Sequence, residues 1–528
     1  MIILIRLMKS SILIASPLLR LRAKSNSIPA IHVMSKKLPS ILLISASILV
    51  ILQFFTKSVA QDIEASIDID AGSQNSVTVS GRFDPGSQLA NHKNLSFALD
   101  YAGIKDLGSR ISGVQVTDRS GTLLRFRQLT PGEYLADGDV SSFRYQIDLS
   151  PRPESSAAAH ISWRKGSEAV FMFGDLLPLA DRRGVSAKIS FQLPGSWKWA
   201  TAMHQNEGLS FDTNNVEDAV FYTGAGLRQT EIRVGTTTTT IDVSGDWKFS
   251  DQEAREMAAE VFGYYQQLFG KENSFGGVRI YIGRFPTNVP LGNWEADTRG
   301  TTMTILSSDM AFKSQSLQRL HEQLRHEMFH LWIPNGMNLY GNYDWFYEGF
   351  ALYQSLKLGV NVNRIGFDDM LDTLSRAYQI DTADSRRLSL IELAKQRWSG
   401  GNTGVYARGM LVGFMCDLAL LEASRSKVST NDLVRDVYLR YAGGKERGDG
   451  NAAIMALMRE HKELVDIVAR YITGADRVRE DQLLTAAGLE MSSANGTQAL
   501  RVVAKPTGRQ KDLLDKLGYN NWRKLGKQ

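Results

Sequence analysis

The spacing of apolar positions changes twice along this 528-residue chain. Residues 41–55 form a nearly unbroken apolar run. From Asp62 to about Asp242, apolar and polar positions alternate in short stretches separated by turn residues, as in Ser76-Val77-Thr78-Val79-Ser80, Phe143-Arg144-Tyr145-Gln146-Ile147 and Ala187-Lys188-Ile189-Ser190-Phe191. A period of two is the signature of half-buried strands, so this zone predicts an antiparallel β domain, a sandwich by type. It runs into Thr236–Thr240, where five β-branched residues in succession favour strand over linker. Past Ser250 the period lengthens. Ser250-Asp251-Gln252-Glu253 reads as a capping box opening a helix to Gly270, with Met257, Val261, Tyr264 and Leu268 on one side. Gly277–Ile282 and Gly300–Leu306 read as two strands, and helices then dominate to about Gly474. A small sheet followed by helices makes an α+β domain. The last fifty or so residues carry a short basic helix, Arg509–Leu517, and an exposed-looking Tyr519-Asn520-Asn521-Trp522; no internal repeat is present.

At 43% apolar content a chain of this length buries more than one core. Its basic balance, with a pI near 9.0, comes from the first sixty residues, which hold eight Lys and Arg and no acidic residue. Without them 53 basic residues face 56 acidic ones, a net charge of −3, so nothing argues for a nucleic-acid partner or an anionic surface. The same residues resemble a targeting segment. Counting from Met34, taken as the biological start, Lys36 and Lys37 form a charged region, Ile41–Phe55 an apolar region, and Ser58-Val59-Ala60 a small-residue cleavage site before Gln61. Fifteen residues interrupted by Ser45, Ser47 and Gln53 fall short of the ~20 that span a bilayer, which favours cleavage and export, periplasmic or extracellular. An uncleaved segment would anchor the chain at a membrane, and an Arg- and Ser-bearing transit peptide is the alternative for residues 1–33. The lone Cys416 lies in an apolar helical run, so a buried thiol is expected and no internal disulfide.

The candidate chemistry sits at His326-Glu327-Met328-Phe329-His330, with Glu348 eighteen residues further on in Trp345-Phe346-Tyr347-Glu348-Gly349-Phe350-Ala351. Leu317, Leu320 and Leu324 give the upstream segment an apolar helical face, and Pro334-Asn335-Gly336 ends it. On such a helix His326 and His330 lie one turn apart on one face and can hold a single zinc ion. Glu348 from a second helix supplies a third ligand, leaving one position for water, and Glu327 is placed to take its proton. Two core histidines would show the same spacing, but would leave Glu327 and Glu348 without a role. On the same helix His321 is expected to face solvent. Asp417 is expected on a solvated helix face, with orientation of a ligand histidine as its alternative.

Together with Val405-Tyr406-Ala407-Arg408-Gly409-Met410-Leu411-Val412, these segments resemble the glycyl aminopeptidase family of zinc metallopeptidases, relatives of the alanyl aminopeptidases. Tyr406 follows Glu348 by 58 residues, matching the order and spacing of a Tyr-x-Lys-Gly-like motif in both families. The resemblance implies that the Tyr406 hydroxyl donates to the oxyanion of a tetrahedral intermediate, the role a neutral donor opposite zinc should have. It also implies that Glu295, in Gly292-Asn293-Trp294-Glu295 and 31 residues before His326, holds the substrate's α-ammonium; an exposed loop carboxylate is the other reading. The fold implied is multidomain: an N-terminal antiparallel β domain over 61–243, a thermolysin-like α+β, mainly helical catalytic domain over 244–475, and a C-terminal segment over 476–528 of unread role. Two features depart from the glycyl branch: the short interval between His330 and Glu348, which resembles the alanyl branch, and a C-terminal segment too short for a PDZ domain. The function implied is an aminopeptidase with one zinc per chain acting on peptide or protein substrates. A zinc endopeptidase on the same scaffold, or a binding protein that has lost turnover, are the rivals.

Overall fold

The computed structural model describes residues 61–69, 72–179, 184–270, 275–443, 446–494 and 497–521. The targeting segment expected over residues 1–60 lies outside them. Strands β1 (Ile63–Asp68), β2 (Ser76–Phe83), β3 (Ser142–Asp148) and β4 (Ala187–Gln192) form the middle of the first sheet. Their alternation sorts faces: Ile63, Ala65 and Ile67 of β1 and Phe143, Tyr145 and Ile147 of β3 are buried. The sheet has seven strands, ordered 204–205, 210–213, β4, β1, β2, β3, 111–117. Every neighbouring pair is antiparallel except β1 and β4, which run parallel with Ile63 opposite Ala187. A parallel pairing needs a long crossover, which the intervening strands supply. A second, four-stranded sheet, ordered 198–201, 220–224, 168–172, 163–165, shares this core. Phe191 of β4 stacks on Phe221 across the gap at 3.9 Å between centroids, so the two sheets form a sandwich.

The outer face of that second sheet packs on a third, built from β5 (Arg228–Val234), β6 (Thr237–Val243), β7 (Val278–Arg284), β8 (Trp294–Arg299) and β9 (Thr302–Ser307). Tyr222 stacks on Tyr281 of β7 at 4.2 Å, and the Tyr222 hydroxyl lies 2.7 Å from Thr304 Oγ1 of β9. The order is β5-β6-β7-β9-β8, with β6, β7 and β9 parallel and an antiparallel strand at each edge. The threonine run is therefore strand, paired to β5 and β7.

Helices cover this sheet. In α1 (Asp251–Phe269) the capping box closes as expected, Ser250 Oγ accepting from Glu253 N and the Glu253 carboxylate from Ser250 N. Met257, Val261 and Leu268 are buried, whereas the expected Tyr264 is half-buried and Tyr265 takes the core position. Then follow α2 (Lys313–His330), α3 (Asp344–Asn361) and α4 (Asn402–Ala423). Helix α4 is long and apolar enough to cross a membrane, yet residues 404–421 are all buried, Cys416 included. A Cβ on Gly349 of α3 would collide with Gly409 Cα of α4, and one on Gly409 would sit 2.6 Å from Trp345 O. Two glycines thus let the helix backbones touch. Beyond residue 476, Val478, Leu484, Leu489 and Leu500 join the same core, as do Leu513, Leu514 and Leu517 of α5 (Gly508–Leu517). Of the terminal residues expected at the surface, Tyr519 and Asn521 are docked, and Trp522 lies outside the described residues. Tyr519 packs on Phe367 at 5.2 Å and Asn521 Nδ2 donates to Asn361 Oδ1 at 3.0 Å. Half of the ten residues of α5 are charged, and the three leucines on its inner side decide its packing.

Candidate metal centre and active site

Helix α2 presents His326 and His330 on its inner face, and the start of α3 brings Glu348 against them. Glu348 Oε2 lies 3.2 Å from His326 Nε2 and 3.7 Å from His330 Nε2, and the two nitrogens are 3.3 Å apart. All three residues are buried. Tetrahedral ligands at zinc distances of about 2.0–2.2 Å are separated by about 3.3 Å, so the donor set fits zinc in type and in spacing. Three ligand atoms facing one another this closely in a buried site are what a cation resolves. His330 Nδ1 faces Ile333 O at 3.1 Å, which leaves Nε2 unprotonated toward the site, and burial lowers this imidazole to about 4. Glu348 is held well below the usual carboxylate range: burial opposes ionisation, but Arg397 and the two imidazoles outweigh it.

Glu327, next to the first histidine, points into the adjoining cavity with Thr298 Oγ1 donating to its Oε2 at 2.8 Å. Burial pushes its carboxyl up to about 7. Tyr406 enters from the first turn of α4, its ring 6.3 Å from that of His326. The touching glycines explain this meeting, since Glu348 immediately precedes one and Tyr406 stands three residues before the other. Burial holds the Tyr406 phenol well above its usual value, so it stays a neutral donor. Between Tyr406 and Glu348 lies Arg397: its Nη2 is 2.9 Å from both Tyr406 Oη and Glu348 Oε1, and its Nη1 is 3.1 Å from Asp344 Oδ2.

These groups line a cavity of about 770 Å³ whose opposite wall comes from the first domain, at Tyr101, Gly103, Ser156 and His160. Edge strand β8 runs along it. Glu295 is thus on a strand and only 4% exposed, not on an exposed loop, and its Oε1 has no hydrogen-bond partner among the described residues. Burial pushes its carboxyl up to about 7. Two residues on, Asp297 also lines the cavity but is paired with Arg299 Nε at 2.7 Å. Arg299 donates onward to His160 O at 2.6 Å and lies 4.6 Å over the Tyr101 ring, tying β8 to the first domain.

With fold and site in place, the comparisons with known proteins fall on one side. The chain is similar over 85% of its length, and 82% of that chain, to an aminopeptidase N family protein from Idiomarina loihiensis, with a TM-score of 0.69 at 16% sequence identity. The fold is aminopeptidase N-like. It is also similar, over 79% of its length and 95% of that chain, to a mutant M1 zinc metallopeptidase from Deinococcus radiodurans, at a TM-score of 0.52 and 14% identity. The same mutant bound to a Tyr-Ser-Ala substrate gives the same values. No family model and no curated protein sequence matches the chain.

Within this aminopeptidase N-like fold several sequence expectations change. His321 is fully buried, Arg325 Nη1 lying 2.6 Å from its Nδ1 and Glu260 of α1 lying 3.2 Å from its Nε2. Its partner at i+4 is the arginine. Asp417 is also fully buried; it accepts from the Tyr353 hydroxyl at 2.6 Å and from Thr430 N at 2.8 Å, and pairs with Lys357 at 2.8 Å. It braces helices and reaches no ligand histidine. Arg408, in the motif around Tyr406, turns away to a buried pair with Asp381 at 2.6 Å. Sequence reading missed Arg397, Thr298 and Asp297. The last two follow Glu295 on its own strand, which is the signal that could have found them.

Proposed function

We propose that the chain is an exported zinc-dependent peptidase of the gluzincin type that removes residues from the N-terminus of peptides. The observation that carries this reading is the buried convergence of His326, His330 and Glu348 beside Glu327, on a cavity that also holds Glu295, one oxygen of which has no hydrogen-bond partner among the described residues. Zinc held by the two imidazoles and Glu348 supplies Lewis acidity and brings water's pKa toward neutrality. Glu327 takes the proton of the attacking water and passes it to the leaving amine, with Thr298 fixing its carboxylate. Tyr406 donates to the oxyanion. Glu295, a buried carboxylate with no cationic partner among the described residues, gains one when a substrate's α-ammonium binds, and this sets cleavage one residue from the end. The Tyr406 motif suits both the glycyl and the alanyl branch; the short interval from His330 to Glu348 and the structural neighbours side with the alanyl and aminopeptidase N branch.

Free and N-acetylated peptides test the reading. Free-amine peptides are expected to be hydrolysed and acetylated ones spared, and Glu295→Gln is expected to lower kcat/KM for free-amine peptides by roughly 10²-fold. The same variant should be more stable than the unmodified chain. The carboxyl ordinarily titrates at 4.5 and in the fold at about 7, so between those values the folded state retains a proton that the unfolded state releases, and stability falls as pH rises. Above pH 7 the full cost, about 3 kcal/mol, is present. Glu295→Gln removes most of it, so thermal melts of chelator-treated protein are expected to show a gain of ~2 kcal/mol at pH 8 and a smaller one at pH 5. Equal cleavage of acetylated and free peptides would make the chain an endopeptidase.

The apolar run with Ser58 and Ala60 at the positions that a cleavage site requires supports export. N-terminal sequencing of exported protein is expected to begin at Gln61. Intact residues 34–55 in a membrane fraction would instead mean an anchored chain.

A further inference from the structure

Arg397 occupies a turn shaped to hold it. The turn, Arg397–Ser399, is closed by Gly400 at φ 111°, a conformation that favours glycine, and by Gly401, where a Cβ would press on Leu393 O and lie 2.8 Å from Gln396 O. Arg386 holds the Gly400 carbonyl from outside, and Trp398 lies 4.3 Å from the Arg397 guanidinium. The guanidinium is thereby fixed before it meets its three partners. One of them, Asp344, sits at the start of α3 and anchors Nη1; the other two share Nη2.

We propose that Arg397 is a positioning residue that sets Glu348 and Tyr406 at once. A carboxylate has two equivalent oxygens and can ligate through either or both. A charge-assisted hydrogen bond on Oε1 leaves Oε2 as the oxygen that faces His326 and His330. A phenol oxygen can accept or donate. With Arg397 donating to it, its own hydrogen is directed to an acceptor, the neighbouring Glu348 carboxylate before substrate arrives and the oxyanion afterwards, so the hydroxyl is held as a donor. Lysine, a single point charge on a flexible stem, cannot make all three contacts. The role rests on the zinc-peptidase reading above.

The test uses the full chain carrying Arg397→Ala or Arg397→Lys. Both are expected to lower kcat by ~10²-fold or more with KM changed by less than ~3-fold, and to weaken zinc ~10–100-fold in a chelator competition. Guanidinium chloride at tens of millimolar should restore part of the kcat of Arg397→Ala, while sodium chloride at the same strength should not. Adding Tyr406→Phe to Arg397→Ala should cost much less than the product of the two single losses, because one variant has already disabled the other's target. Unchanged zinc affinity with unchanged kcat, or losses that multiply, would overturn the role. Should Arg397→Ala fail to fold by circular dichroism, Asp344→Asn, which frees only Nη1, is expected to move zinc affinity and kcat in the same direction by less, and no movement would overturn the role. If the unmodified chain cleaves no peptide, the peptidase reading fails by itself; the zinc competition then decides Arg397 alone, and equal affinity in Arg397→Ala overturns it.

Discussion

Glu327→Gln is expected to keep zinc bound and lower turnover by at least ~10²-fold. The amide has the shape of the carboxylate and can still accept the hydrogen bond that Thr298 donates at 2.8 Å, so the cavity wall is preserved. Neither ligand histidine nor Glu348 is altered, and metal analysis should find the zinc content of the unmodified chain. What is lost is a group that can take a proton, and that loss appears in kcat with little change in KM. Normal turnover in this variant would place the base elsewhere in the cavity, with Glu295 the next group to test.

Replacing both histidines has the larger effect. The unmodified chain, purified without chelator, is expected to carry about one zinc, and His326→Ala combined with His330→Ala should carry almost none and have no measurable peptidase activity. Two of three protein ligands are removed, a greater loss than the ~10–100-fold in affinity that changing a group hydrogen-bonded to a ligand costs. Full zinc content in the double variant would place the metal at another site.

The sequence disclosed whatever was local or strictly spaced. His326, Glu327 and His330 share one helical turn, Glu348 lies in a separate aromatic segment, and alternation marked β2, β3 and β4, so pattern alone found them. Burial of polar groups was not legible, because it depends on partners brought from far along the chain. His321 needed Glu260, on another helix, to be recognised as buried, and Asp417 needed Lys357 and Thr430. Arg397 has no periodic or motif signature in Gln396-Arg397-Trp398-Ser399-Gly400; its place becomes visible only when Asp344, Glu348 and Tyr406 surround it. Helix α5 was legible as a helix, but not where it packs, because half of its ten residues are charged while three buried leucines decide its docking.

Where Gly349 meets Gly409, the proposed metal ligand Glu348 and the proposed oxyanion donor Tyr406, separated by 58 residues of sequence, ride on one stiff joint. Both groups are thus placed by one helix contact, whereas Glu295 is placed independently by the strand layer. The joint is also a single point of failure: one methyl group at either glycine would displace both groups in the same stroke.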